Sequence, residues 1–229
     1  MTIKQNDFIE IEFTGRITDT GEIFDTNIEE DAKKTNLDIK DLKPFILSVG
    51  HQMLPEGFDK DLIGKEIGNN YKIELGPDDA FGKRNSSLVK MIPAKHFHEQ
   101  KIVPERGMQL SLDGRLVRIL SSSSGRTLVD FNNPLAGKKI TYEYRINRLV
   151  NEEKEKINAL QEFLFKKKFD YELKEDKIIL KIERELEPLI NIFSKKFEEI
   201  LGKKLEAEIV EKNKDKKEDT HTHDHKSKE

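Results

Sequence analysis

No cysteine occurs among the 229 residues. That excludes disulfides and thiolate metal sites, and it fits a reducing compartment. Long apolar runs are equally absent: nowhere do about 18 apolar residues stand together, so no membrane-spanning helix is expected. The opening residues, Met1 to Asp7, lack the apolar stretch of a secretory signal. An excess of positive charge is missing too. The formal net charge is −3, which gives no support to nucleic-acid binding. Charged residues make up 37% of the chain and hydrophobic ones 35%, so any core must be divided among small units. The expectation is a soluble cytoplasmic protein of one to three small domains, with neither nucleic acid nor membrane as partner.

What is present is alternation. Ile9, Ile11 and Phe13 alternate with Glu10 and Glu12, the two-residue period of a half-buried strand. Asp19-Thr20-Gly21-Glu22 is a turn, after which Ile23-Phe24 resumes an apolar run. The polar stretch 26–43 reads as a surface loop with some helix. Pro44 to Gly50 reads as a strand, Pro55 opens a short helix with Gly64 just beyond it, and 70–75 is one more strand. A second unit begins near Lys83, with a helical patch at 94–99 and strands around 108–112, 115–120 and 126–131. Asp113-Gly114 and the serines 121–124 followed by Gly125 supply its turns. Ile140, Tyr142, Tyr144 and Ile146 then form the clearest strand of all, which the reading returns to the sheet begun at residue 8.

From Asn151 the period changes. Ile157, Leu160, Gln161 and Leu164 have helical spacing, two alternating runs follow at 169–173 and 178–182, and a helical stripe from Leu186 to Leu201 stops at Gly202. Leu205, Ala207 and Ile209 close the unit as a strand. Helix, strand, strand, helix, strand is the order of a small α+β domain. Residues 211–229 are nearly all charged and are expected to be disordered.

The stretches Gly21-Glu22-Ile23-Phe24-Asp25-Thr26, Gly50-His51-Gln52-Met53-Leu54-Pro55-Glu56-Gly57-Phe58-Asp59 and Asp79-Ala80-Phe81-Gly82 resemble, in order and spacing, signature segments of FKBP-type prolyl isomerases. Val129-Asp130-Phe131-Asn132-Asn133-Pro134-Leu135-Ala136-Gly137-Lys138 resembles the segment that returns the chain from the insert domain in the SlyD-like subgroup. The layout as a whole is similar to the long archaeal members of that subgroup, by motif over residues 5–150 and by element order alone over 151–210. The resemblance implies an α+β fold. An antiparallel FKBP sheet wrapped on a short helix would take 1–83 plus 132–150, an inserted mainly-β chaperone domain 84–131, and a C-terminal α+β domain 151–210. In two places the chain departs from the pattern: Phe13 stands where the family usually has a tyrosine, and Asn133 where the subgroup commonly has histidine.

The activity so implied is peptidyl-prolyl cis–trans isomerisation in unfolded or nascent polypeptides, with no cofactor required. Rotating a peptide bond breaks amide resonance across a barrier of roughly 18–20 kcal/mol. A dry apolar pocket favours the twisted state, which has less charge separation than the planar amide. The resemblance gives Phe24, Asp25, Phe81 and Tyr142 as catalytic residues and Phe13, Leu54, Pro55, Phe58 and Leu135 as substrate-binding ones. Phe58 would be the floor under the proline ring, the Leu54 backbone N–H a donor to a substrate carbonyl, and Asp25 the one acid beside the pocket. In the insert, Met91, Ile92, Phe97, Met108, Leu110 and Leu112 are candidates for an adaptable client-binding surface.

His221, His223 and His225 alternate in the terminal tail, where imidazoles two apart can share a nickel or zinc ion. The C-terminal domain has the element order of some RNA-binding modules but no Gly-x-x-Gly loop. The resemblance gives it a homodimerising role instead. Two rivals to the enzyme reading stand beside it: a holdase chaperone with little isomerase activity, and a metal-binding chaperone working through the histidine tail.

Overall fold

The computed structural model describes residues 1–35, 42–112 and 114–210. It divides into two compact units, Met1–Ala159 and Leu160 onward. The fold is α+β, built mostly of antiparallel sheet. Among the described residues, no helix is long and apolar enough to cross a membrane.

The first unit begins with β1 (Phe8–Ile17), β2 (Ile23–Thr26), a short α1 (Glu29–Ala32) and β3 (Phe45–Ser48), then α2 (Glu56–Asp61) and β4 (Asn70–Leu75). After these the chain departs into β5 (Val89–Pro93), α3 (Ala94–Glu99), β6 (Gln109–Leu112), β7 (Arg115–Ser123) and β8 (Arg126–Asp130). It returns as β9 (Ile140–Leu149). The first sheet has the order β2-β1-β9-β4, with β3 also pairing β1, so the last strand lies between the first and the fourth. Ile9, Ile11, Ile140 and Ile146 are fully buried, as are Phe58 and Leu62, whose helix packs on that face. The period-two pattern of β1 and β9 thus places their apolar sets on one side.

The β5–β8 segment forms its own four-stranded antiparallel sheet, ordered β5-β8-β7-β6. Its core is Phe97, Val117, Ile119 and Val129. Two sequence readings need correction here. Residues 89–93 form a strand where none was expected, and its terminal Pro93 is tolerated because β5 is an edge strand. The serines at 121–123 belong to β7, and only Ser124 (φ +48°) and Gly125 (φ +76°) make the turn. A two-residue hairpin turn needs only two positive-φ positions, so small polar residues beside it can still be strand. Asp113 of the other expected turn lies outside the described residues.

Helix α4 (Glu153–Phe165) leads into the second unit, which holds β10 (Tyr171–Leu173), β11 (Lys177–Ile182), α5 (Glu187–Leu201) and β12 (Lys204–Ile209). β11 pairs antiparallel with β10 and parallel with β12, α5 providing the crossover. Gly202 at φ +69° ends α5, the left-handed stop the sequence signals. Phe165, Phe169, Phe193 and Phe197 form an aromatic knot with centroids 5.3–6.0 Å apart around Phe165.

Candidate active site

Five aromatic rings from five separate parts of the first unit meet. Phe13 comes from β1, Phe24 from β2, Phe58 from α2, Phe81 from the loop after β4, and Tyr142 from β9. Tyr142 is the hub: its ring centroid lies 4.5 Å from Phe58, 5.7 Å from Phe24 and 5.9 Å from Phe13. Phe24 in turn meets Phe81 edge-on at 5.7 Å, and Phe13 meets Phe58 at 6.2 Å. Such pairs add about 0.5–1.5 kcal/mol each beyond the area they bury. Phe58, Tyr142 and Phe13 are at most 6% exposed and form the floor, whereas Phe24 and Phe81 are half-buried and form the rim.

The backbone explains how Phe24 and Asp25 both reach this cluster. The β1–β2 register shifts between Gly15 and Arg16, so that Gly15 faces Asp25 while Arg16 faces Ile23, leaving Phe24 as the extra residue of a bulge. A bulge re-aims side chains that regular alternation would send to opposite faces. Gly15 also faces Tyr142 on its other side, which sets Asp25, Gly15 and Tyr142 in one row across three strands. A Cβ on Gly15 would lie 2.7 Å from Phe24 Cζ and 2.8 Å from Tyr142 Cε1. Gly57 has the same kind of role in α2, where a Cβ would lie 2.7 Å from Leu75 Cδ2 and 2.8 Å from Asp79 Cβ. Neither glycine stands out in the sequence: Gly57 lies inside a signature stretch, and Gly15 lies in none.

The loop before α2 is pinned from within. Asp59, only 4% exposed, accepts the backbone N–H groups of Gly50 and Gln52, each at 2.8 Å. These bonds hold Gln52 at φ +57°, a left-handed conformation that side-chain-bearing residues seldom adopt. Leu54 follows in the same loop, and its N–H makes no hydrogen bond among the described residues. Pro55 is the N-cap of α2. The loop carrying Phe81 is closed by Gly82 N–H donating to Pro77 O at 2.7 Å, and Gly137 N–H donates to Gly82 O at 2.8 Å. That second bond places the turn containing half-buried Leu135 beside Phe81.

Two polar groups border the rings. Desolvation raises the Asp25 carboxyl above the usual carboxylate range, with the Thr26 backbone hydrogen bond opposing it. Asp25 as a whole residue is nonetheless exposed, at the edge of the rings. Burial, and secondly the Asp25 charge, raise the Tyr142 phenol. Tyr142 carries the only hydroxyl among the five rings, and that hydroxyl makes no hydrogen bond among the described residues. Tyr144, two residues on, instead donates to Asp61 Oδ2 at 2.6 Å. The arrangement offers an apolar aromatic surface bordered by a hydroxyl and a carboxyl, and the loop leading into α2 adds a backbone N–H without a partner among the described residues.

The insert candidates separate. Met91 is 61% exposed, and Ile92, Met108, Leu110 and Leu112 are partly buried against the insert core. Phe97 is a correction: at 2% exposed it is a core residue, because α3 folds back over the sheet and seats it on Val117, Ile119 and Val129. His221, His223 and His225 lie outside the described residues, and no group of metal-ligating side chains occurs among the described ones.

The family described as FKBP-type peptidyl-prolyl cis-trans isomerase matches residues 1–98, and that described as FKBP26, IF domain, matches residues 90–135. A short-type peptidyl-prolyl cis-trans isomerase of Methanocaldococcus jannaschii is 28% identical over 155 residues, 67% of this chain and 98% of the relative. The SlyD isomerase of Vibrio cholerae is 32% identical over 101 residues, 42% of this chain and 50% of the relative. That of Helicobacter pylori is 26% identical over 150 residues, 63% of this chain and 72% of the relative.

Proposed function

We propose that this chain, which belongs to the FKBP-type peptidyl-prolyl cis-trans isomerases and is SlyD-like, interconverts the cis and trans forms of X-Pro bonds in unfolded polypeptides, with the inserted sheet holding the client. The observation that carries the reading is the meeting of Phe13, Phe24, Phe58, Phe81 and Tyr142. A proline ring laid on these rings has an apolar contact that excludes water. The planar imide loses hydration there, while the twisted imide, with less charge separation, loses little; the difference lowers the barrier. The Leu54 N–H is free to hold a substrate carbonyl, which anchors the chain on one side of the rotating bond. Cis and trans prolyl bonds differ by only about 0.5–1 kcal/mol, so a catalyst of this kind changes rates and leaves the ratio alone.

The insert supports a client-holding role through its partly exposed apolar rim, Ile92, Met108, Leu110 and Leu112, with Met91 beyond it. Holding a client close raises the local concentration of its prolines at the rings. A proline-limited refolding assay, run with an aggregation assay, tests both halves. Phe58→Ala should abolish acceleration of the slow phase while suppression of aggregation persists. Suppression without any acceleration by the unmodified protein would favour the holdase reading, which the missing hydroxyl at Phe13 favours. The second unit fits a self-association role, on the exposure of Ile192 (66%) on α5; sedimentation of the full chain across a concentration series tests it.

A further inference from the structure

The outer face of the inserted sheet and the return segment line a cavity of about 410 Å³, with Glu22 at one side. Val117 and Ile119 point into the insert core, so Leu116 and Arg118 stand on the opposite face of β7, and Leu120, the extra residue where the β7–β8 register shifts, also lines the cavity. Leu116 is 52% exposed there. Pro134 and Lys138 come from the return segment. One charge pair at this place is already satisfied, Arg84 donating to Asp130 Oδ2 at 2.6 Å. Arg118 and Lys138 have no ion-pair partner among the described residues. They belong to a wider imbalance: residues 84–138 carry nine lysines and arginines against four acids, in a chain whose net charge is −3.

The cavity is joined to the rim of the ring cluster by the return segment. Leu135 lies between Pro134 and Ala136, both of which line the cavity, and Gly137 is hydrogen-bonded to Gly82 beside Phe81. A polypeptide with its proline on the rings therefore has this cleft as its next surface. Its size is that of an ordinary small-ligand pocket, room for a few side chains of an extended segment. Leu116, Leu120 and Pro134 would take aliphatic stems, and the two unpaired cations, which outnumber the one lining acid left unpaired among the described residues, Glu22, would decide which charge is welcome.

We infer that this cleft binds the client segment flanking the proline and selects segments that carry acidic side chains. The inference rests on the isomerase reading of the ring cluster and adds a specificity to it. Charges arranged in this way set partner choice and approach rate more than total affinity, and salt weakens them.

The test uses two unstructured peptides with one proline each, identical except that glutamates or lysines stand a few residues from it. Cis–trans exchange is followed with the full chain at low and at high salt. The glutamate peptide should be turned over several-fold more efficiently at low salt, and the advantage should shrink as salt rises. The double variant Arg118→Glu/Lys138→Glu should reverse the preference, while a proline tetrapeptide too short to reach the cleft is turned over as before. Equal rates for the two peptides, or a preference that survives the double variant, would overturn the inference. Failure of the unmodified protein to act on either peptide or on the tetrapeptide would instead remove the isomerase reading.

Discussion

Gly15 lies directly opposite Tyr142 in the β1–β9 pair, and the space its missing side chain leaves is filled by the edges of the Tyr142 and Phe24 rings. The aromatic cluster therefore depends on a residue that contributes no atom to its surface. Contacts of 2.7 and 2.8 Å to an added Cβ are far inside ordinary van der Waals distance, and both neighbours are rigid rings held from behind.

Gly15→Ala should accordingly push the rings apart. Overpacking of this kind costs about 1–3 kcal/mol, and the displaced walls should lower kcat/KM for a proline peptide. Urea denaturation and an exchange assay on the same preparation check the two effects together. A variant as stable and as active as the parent would mean that the rings move freely.

Asp59→Ala removes the acceptor of two backbone N–H groups in the loop that presents Leu54. Hydrogen bonds to a charged group contribute about 1.5–3 kcal/mol, so a loss of roughly 2 kcal/mol or more is expected. Because Leu54 sits on that loop, KM should rise more than kcat falls. Asp59→Asn keeps one acceptor oxygen and should give a smaller effect on both.

Tyr142→Phe and Tyr144→Phe form a matched pair. Tyr144 loses a 2.6 Å hydrogen bond to Asp61, so its variant should be about 1 kcal/mol less stable. Tyr142 loses a hydroxyl without a protein partner, so its variant should melt like the parent. Its activity should drop about tenfold, the factor that one ordinary hydrogen bond to a substrate supplies. Melting curves and kcat/KM values separate the two roles.

Asp25 and Asp31 should respond to acid in opposite senses. The Asp25 carboxyl is raised by desolvation, so the folded state binds its proton more readily than the unfolded chain does. Its charge is destabilising at neutral pH, and that penalty is relieved as pH falls through the raised folded value. Asp31 is lowered, first by the Lys34 hydrogen bond and then by Thr14, so its contribution is present above the ordinary carboxylate pKa and is lost as pH falls through the lowered one. Asp25→Asn should therefore raise stability near pH 7 and lose this advantage once the native carboxyl is protonated, as denaturant titrations near pH 7 and in acid would show. A stability loss at pH 7 would mean that Asp25 is held by bonds the desolvation argument omits.

Much of this was legible in the sequence because the relevant physics is local. The alternations at 9–13 and 140–146 predict two buried strands, and Gly202 predicts the end of α5, from backbone periodicity and positive φ alone. The pairing of β9 with β1 was foreseen from the isolation of a strongly patterned strand after a segment with turns of its own. What escaped was what depends on contact. Phe97 has the same sequence character as Met91, yet one is core and the other exposed, since only the fold-back of α3 distinguishes them. Gly15 and Gly57 matter through atoms distant in the chain. The bulge at Phe24 has no compositional signature, and without it an alternating strand would aim Phe24 and Asp25 to opposite faces.

The most direct measurement is cis–trans exchange in a single-proline peptide, followed by NMR with a trace of the protein. Exchange between the two proline forms should quicken, their ratio should stay fixed, and Phe81→Ala, a change at the half-buried rim, should slow the exchange by about tenfold or more. Exchange no faster than in buffer, or an unchanged rate with Phe81→Ala, would contradict the claim that the ring cluster turns the prolyl bond.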